Sequence, residues 1–231
     1  MSRTFSFDLE RDELNRRLGE GFPEGSIVLI EGENGAGKST IVERLAYGFL
    51  VNGYTVTFIS TQLTTKGFIH QMYSLDYPIG IHLLKDELLF IPVVPLIKSA
   101  KSRSDFIERL INAEKLYEKD IIIIDKLSEL VKYSINAEKT IELISFFKKI
   151  TGMGKIVINT IDPVDLDPDV VSLFRSSADI YMTLKSRIIA GEVKRSIHVN
   201  KFTGATGFVG GVIGFRIEPG AGLVIEIASV A

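Results

Sequence analysis

Residues Gly32 to Ser39 read Gly-Glu-Asn-Gly-Ala-Gly-Lys-Ser, standing between an apolar run, Ser26 to Ile30, and a helical pattern that begins at Ser39. A strand, a glycine-rich turn and a helix in that order leave few folds open. The glycines let the backbone curl into a nest of N–H groups, and the following helix aims its positive end at an anion held there. The G-x-x-x-x-G-K-[ST] spacing adds a lysine for the β- and γ-phosphates and a hydroxyl for Mg²⁺. The expected binding residues are Gly32, Glu33, Asn34, Gly35, Ala36, Gly37, Lys38, Ser39 and Thr40, with ATP and Mg²⁺ as cofactors.

Around this loop, strand-like apolar runs alternate with helical patterns, as in a mostly parallel sheet covered by helices on both faces. Strands are expected at Ser26–Glu31, Tyr54–Ile59, Leu88–Val94, Asp120–Asp125, Lys155–Asn159 and Asp179–Leu184, and helices at Ser39–Leu50, Thr65–Tyr73, Asp105–Tyr117 and Ala137–Ile150. Pro92 and Pro95 mark Leu88–Val94 as an edge or bulged strand. Beyond Ser186, alternating runs separated by glycine-rich turns (Lys194–Lys201, Val212–Ile217, Leu223–Ile227) predict antiparallel strands that extend the sheet. With 231 residues, no internal repeat and no low-complexity linker, residues 1–231 read as a single α/β domain.

Asp120-Ile-Ile-Ile-Ile-Asp125 reads as a strand buried on both faces that ends in a carboxylate. Ligands of open α/β sheets sit at the carboxyl ends of strands, so Asp125 has the placement of a Walker B aspartate, sharing Mg²⁺ with Ser39. Hydrolysis needs in addition an acid for the attacking water and a cation for the developing charge. Lys126, not Glu, follows Asp125, and the second strand runs out through Phe58-Ile59-Ser60-Thr61-Gln62 with no acid. Glu33 and Asp162 are the carboxylates nearest by fold position, read first as a solvated loop residue and as a turn-former before Pro163.

Bulk properties exclude several classes. A net charge of −2 provides no cationic field to draw in a polyanion. The absence of cysteine excludes disulfides and thiol chemistry, and His70, His82 and His198 lack ligand spacing. Met1 to Glu20 is polar and charged, and the apolar runs are strand-sized, so neither a secretory leader nor a transmembrane segment is expected.

The lead-in Asp12-Glu-Leu-Asn-Arg-Arg-Leu-Gly-Glu-Gly-Phe-Pro-Glu-Gly25, and the tail Val193-Lys-Arg-Ser-Ile-His-Val-Asn200 running into Lys201-Phe-Thr-Gly204, resemble the RecA-like ATPases of the circadian-clock KaiC group. The segment Phe58 to Gln62, where clock-type members carry paired Glu, is most similar to the accessory ATP-binding family of the archaeal flagellum (archaellum) motor. The resemblance implies a RecA-like P-loop NTPase core that binds Mg-ATP and assembles into a homo-oligomeric ring such as a hexamer. It also implies contact with the archaellum motor ATPase and membrane platform or scaffold proteins, in a cytoplasmic location peripheral to the membrane-bound complex.

Within the resemblance, Ser60 and Thr61 take the paired Glu positions, and Thr203 replaces the arginine two residues after Lys201. Lys201 alone is left as the trans contact to a neighbour's γ-phosphate. An arginine finger is worth roughly 10³ to 10⁵ in rate, so ATP binding with slow or absent hydrolysis follows, and control of partner assembly by the bound nucleotide. Two alternatives stay open: a RecA-type DNA-handling ATPase and a fully competent ring ATPase. Against the first, Asp162, Asp165, Asp167 and Asp169 crowd the segment where single strands would be read, and they repel phosphate. No nucleic acid partner is expected.

Overall fold

The computed structural model describes residues 3–93, 105–189 and 191–226. The chain begins with a short strand, β1 (Thr4–Phe5), a helical turn, α1 (Leu14–Arg17), and β2 (Phe22–Pro23), which pairs antiparallel with β1. The main layer then starts with β3 (Ile27–Gly32), α2 (Lys38–Val51), β4 (Val56–Ser60), α3 (Thr65–Ser74), a short helix Gly80–Leu84 and β5 (Leu88–Pro92). It continues with β6 (Ile121–Asp125), β7 (Ile156–Ile161), β8 (Ile180–Ile189), β9 (Glu192–Phe202), β10 (Val212–Glu218) and β11 (Gly222–Glu226). Among the described residues these form a nine-stranded sheet in the order β11-β10-β9-β8-β3-β7-β6-β4-β5.

Strands β8, β3, β7, β6, β4 and β5 run parallel, and β9 to β11 continue antiparallel. The proline-bearing β5 is the edge strand, because proline has no N–H for a further ladder. Val94 and Ile227, the last residues of two expected strands, and Pro95 lie outside the described residues.

Alternation within the strands divides the core in two. Val28, Ile30, Ile121 and Ile123 point to the face covered by α2 and α3. Ile27, Leu29, Ile122 and Ile124 point to the face covered by the helices Phe106–Asn112, Ala137–Thr151 and Pro168–Ser177. A strand buried on both sides has no polar face, which is why Ile121–Ile124 shows no alternation of polarity. The side chains of Thr64 and Asn136 cap α3 and the Ala137–Thr151 helix by accepting from Gly67 N (3.1 Å) and Lys139 N (2.9 Å).

Three local expectations are corrected. The helix Asp105–Tyr117 is broken: it runs Phe106–Asn112, bends at Ala113 (ψ 69°) and resumes as a 3₁₀ turn, Glu114–Tyr117. That turn brings the Tyr117 hydroxyl back to donate to Leu110 O at 2.8 Å. The acidic stretch after Asn159 is not all loop. It ends β7 at Ile161, makes a 3₁₀ turn Pro163–Asp165 and enters the helix Pro168–Ser177, with Pro168 in its first turn where a missing N–H costs nothing. Strand β8 runs on to Ile189, so that β8 and β9 form a hairpin reaching past the phosphate loop.

The N-terminal lead-in lies across the outside of α2. Arg44, fully buried on α2, donates to Asp12 (2.8 and 2.6 Å) and to Phe7 O (2.6 Å). Phe7 packs against Phe22 and Phe49 with ring centroids 4.7 and 5.4 Å apart. On the opposite flank Phe215 and Leu223 of the β10–β11 hairpin join the same core, and the Tyr77 hydroxyl accepts from Leu223 N at 2.9 Å. The helix carrying the phosphate loop is thus clamped at both sides.

Candidate nucleotide site

The parallel strands end along one edge of the sheet, and β3, where the connections turn from one side to the other, carries the phosphate loop. Two glycines there are required by conformation. Gly35 has φ +83° with open space where a Cβ would lie, and Gly37 has φ +102° with the Phe215 ring 3.2 Å from that position. The first keeps the concave side of the nest free for an anion, and the second lets the β10 strand close on the loop.

Lys38 turns back into the loop. Its Nζ donates to the carbonyls of Gly32 and, at 2.9 Å, Glu33, and Asp162 Oδ2 lies 3.8 Å away. Burial pushes the Lys38 ammonium below its usual range, and the field of Asp162 works against that shift. Asp162 also caps its own turn, accepting from Val164 N at 3.2 Å, so the turn-former reading holds and a charge role is added to it. Glu33 is exposed, as a solvated loop residue, and Ala36 and Thr40 are buried beneath the loop.

Ser39 and Asp125 meet as expected: Ser39 Oγ donates to Asp125 Oδ2 at 2.8 Å. Thr160, unmarked by the sequence, donates to Asp125 Oδ1 at 2.9 Å, and its oxygen accepts from Lys126 N at 2.6 Å. Lys126 takes a left-handed backbone (φ +58°), and its Nζ donates to Asn34 Oδ1 at 3.1 Å, tying the end of β6 to the crown of the loop. Burial pushes the Asp125 carboxyl upward, while the hydrogen bonds from Ser39 and Thr160 and the nearby lysines oppose the shift. A hydroxyl and a carboxylate oxygen in contact beside an open amide nest suit Mg²⁺, which takes few protein oxygens and fills its shell with water and phosphate. Among the described residues no group of three or more His, Cys, Asp or Glu is placed to hold a metal ion.

Lys201 stands apart. It pairs with Tyr181 at the amino end of β8, opposite the phosphate loop, and its Nζ donates to Ala178 O at 2.5 Å. From the antiparallel strands it is Arg195 of β9 that approaches the loop, beside Lys126 of the β6 end: its Nε donates to Gly35 O at 3.4 Å. Ser60 and Thr61 are buried, at 1% and 4% exposure, and it is Gln62 that lines the cleft of about 380 Å³ with Gly37, Lys38, Ser39 and Lys126. Arg195 and Gln62 lie in segments that carry the family resemblance, but only the fold brings them beside the loop.

The sequence pattern described as ATPase: KaiC matches residues 12–229. The chain is 43% identical over 224 residues to the archaeal flagellar ATP-binding protein FlaH of Methanocaldococcus jannaschii, covering 97% of this chain and 96% of that one. It belongs to the FlaH group of the KaiC family. FlaH of Methanococcus voltae is 42% identical over 224 residues, covering 97% of each chain. The crystal structure of the flagellar accessory protein FlaH from M. jannaschii matches with a TM-score of 0.92 at 41% identity, covering 98% of this chain and 100% of that one. A KaiC-like protein from Pyrococcus horikoshii matches with a TM-score of 0.74 at 18% identity, covering 98% and 100%, a likeness of fold. The core of this FlaH-group chain is therefore RecA-type, with the antiparallel extension expected from its C-terminal strands.

One acid beneath the site was not anticipated. Glu43 lies on α2 one turn beyond Ser39, is 1% exposed, and accepts from Gln71 Nε2 of α3 at 3.3 Å. Burial raises its pKa from 4.5 to about 8, and the Asp125 charge adds to the shift. The folded acid keeps its proton to about pH 8 while the unfolded one releases it near 4.5, so the folded state binds more protons between those values and stability falls as pH rises through them. Glu43→Gln is expected to flatten that decline and to be about 1–3 kcal/mol more stable than wild type at pH 8.5 by urea unfolding. Parallel stability–pH curves for the two proteins would show that Glu43 ionises freely.

Proposed function

We propose that this protein is an ATP-binding accessory subunit of the archaeal flagellum motor, one that holds Mg-ATP with slow or no hydrolysis and uses the bound state to control assembly with the motor ATPase. The observation that carries the nucleotide part is the Ser39–Asp125 contact of 2.8 Å beside the buried Lys38 and the open face of Gly35. Bound there, Mg²⁺ would supply neutralisation of phosphate charge. The Lys38 ammonium, now on the Gly32 and Glu33 carbonyls, and the loop amides would hold the phosphates, and Ser39 and Asp125 would hold the ion.

The flagellar part rests on the names that the relatives carry. Contact with membrane platform proteins is part of the same proposal, with the chain peripheral to the membrane, since among the described residues no helix is long and apolar enough to cross it. Residues 1–231 are proposed to act as one unit, assembled in a ring. Lys201 is proposed as the contact to a neighbour's nucleotide, a reading supported by its exposure at the end of the sheet away from its own phosphate loop.

Calorimetry with ATP tests the reading directly. Wild type should bind in a Mg²⁺-dependent way, and Asp125→Asn should retain metal-free binding while losing most of the Mg²⁺ enhancement, about 10-fold, the worth of one charge-assisted contact. Absence of any heat with ATP and Mg²⁺ would overturn the proposal, and phosphate release faster than about 1 s⁻¹ would favour a working ATPase over a switch.

A further inference from the structure

We infer that Lys126 is a second phosphate-binding cation of this site, supplied by the same chain and held on Asn34 until a nucleotide takes it over. The inference rests on the nucleotide reading above and deepens it. Lys126 follows Asp125 at the end of β6 with a left-handed backbone, φ 58° and ψ 53°, a conformation that strains a residue other than glycine. Two hydrogen bonds hold it there. Its N–H donates to the Thr160 hydroxyl at 2.6 Å, and its carbonyl accepts from Glu129 N at 3.0 Å in the helical turn Leu127–Val131. The chain therefore leaves the strand direction at once after Asp125, and the Lys126 side chain runs toward the phosphate loop.

There its ammonium donates to Asn34 Oδ1 at 3.1 Å, on the crown of the loop. Among the described residues no carboxylate pairs with it, whereas Lys38 has Asp162 at 3.8 Å. A neutral amide oxygen is a weaker partner for an ammonium than a phosphate oxygen is, because only the second bond joins opposite charges. Among the described residues Lys38 and Lys126 are the cations that line the cleft above Ser39. Their charges act on each other. Burial is the main cause that lowers the Lys38 ammonium, Asp162 opposes it, and repulsion from Lys126 adds to it. An anion entering between two like charges offsets that repulsion and is attracted by both.

Arg195 is not equivalent, since its Nε sits on the Gly35 carbonyl and its side chain does not line this cleft. Lysine suits the exchange, because its flexible stem lets the ammonium move while the strained backbone stays fixed. A cation carried next to Asp125 lets a single subunit offset phosphate charge without a neighbour's help.

Calorimetry with Mg²⁺ and a non-hydrolysable ATP analogue should be run on wild type, Lys126→Gln and Asn34→Ala, at low and at high salt. Lys126 is half-buried and Asn34 exposed, so all three are expected to fold, with urea unfolding as the check. Lys126→Gln keeps a neutral donor near Asn34 and loses the charge. It should bind the analogue about 10-fold more weakly at low salt, the worth of one hydrogen bond to a charged group, with the gap narrowing at high salt. Asn34→Ala removes the resting contact and spares the cation, so its affinity should stay within about threefold of wild type. Wild-type affinity in Lys126→Gln would show that the charge is idle, and a loss in Asn34→Ala as large as that in Lys126→Gln would show a structural tie between strand and loop. Either result overturns the inference while leaving nucleotide binding in place. Failure of wild type to bind the analogue overturns the binding reading itself.

Discussion

Lys38→Ala is expected to lower affinity for Mg-ATP by about 100-fold or more, close to 3 kcal/mol. The side chain is 3% exposed and stands among three oxygen acceptors, the Gly32 and Glu33 carbonyls and the Asp162 carboxylate. These hold the ammonium where phosphate oxygens would take it over. Alanine removes the cation and leaves Asp162 as a buried negative charge facing the anion, so an attraction becomes a repulsion in a site where screening is weak. Equilibrium binding with a fluorescent ATP analogue measures the loss, and an affinity within threefold of wild type would mean that phosphates bind elsewhere. Double substitution with Asp162→Asn should recover part of the loss, since the repulsive half of the change is then absent.

The second large effect is on stability. Arg44→Ala is expected to cost about 3–5 kcal/mol in urea unfolding, because both side chains of the Arg44–Asp12 pair are 0% exposed and truncation strands the Asp12 carboxylate and the Phe7 carbonyl. Gly48 is fitted to the same feature: a Cβ there would lie 2.5 Å from both Arg44 Nη1 and Phe7 O. Arg44→Ala combined with Asp12→Ala should cost clearly less than the sum of the two, since without the cation the carboxylate is only a burial penalty. A cost below about 1 kcal/mol for Arg44→Ala would show that water replaces the guanidinium. The affected element is α2, which carries Lys38 and Ser39, so loss of the clamp is expected to weaken nucleotide binding as well.

Much of this was legible in the chain itself. The order strand, Gly-rich loop, helix at residues 26–50 determined the loop's place, because each of those signals is local: apolar β-branched residues, glycines at left-handed positions, and a helix-forming run. Four consecutive isoleucines ending in Asp125 likewise determined a strand buried on both faces with its carboxylate at the loop end. Pro92 pointed to an edge or a bulge, and β5 is the edge strand. Helix ends were less legible: Asp105–Tyr117 is amphipathic throughout, and the break at Ala113 goes with Tyr117 turning back, its hydroxyl on Leu110 O and its ring 4.8 Å from that of Phe146.

What only the tertiary structure decided are the pairings between segments far apart in sequence, for which periodicity carries no information. Arg195 reaches Gly35 across 160 positions, and Arg175 reaches Glu31 across 144. Thr160 meets Asp125, Gln62 lines the cleft while Ser60 and Thr61 are buried, and Lys201 ends on the far side of the sheet from its own loop. The local signals could say which residue types a phosphate needs and where the strand ends would present them. Which further side chains share that space depends on strand order and on the turns that follow the strands, and those are set by how the whole core packs.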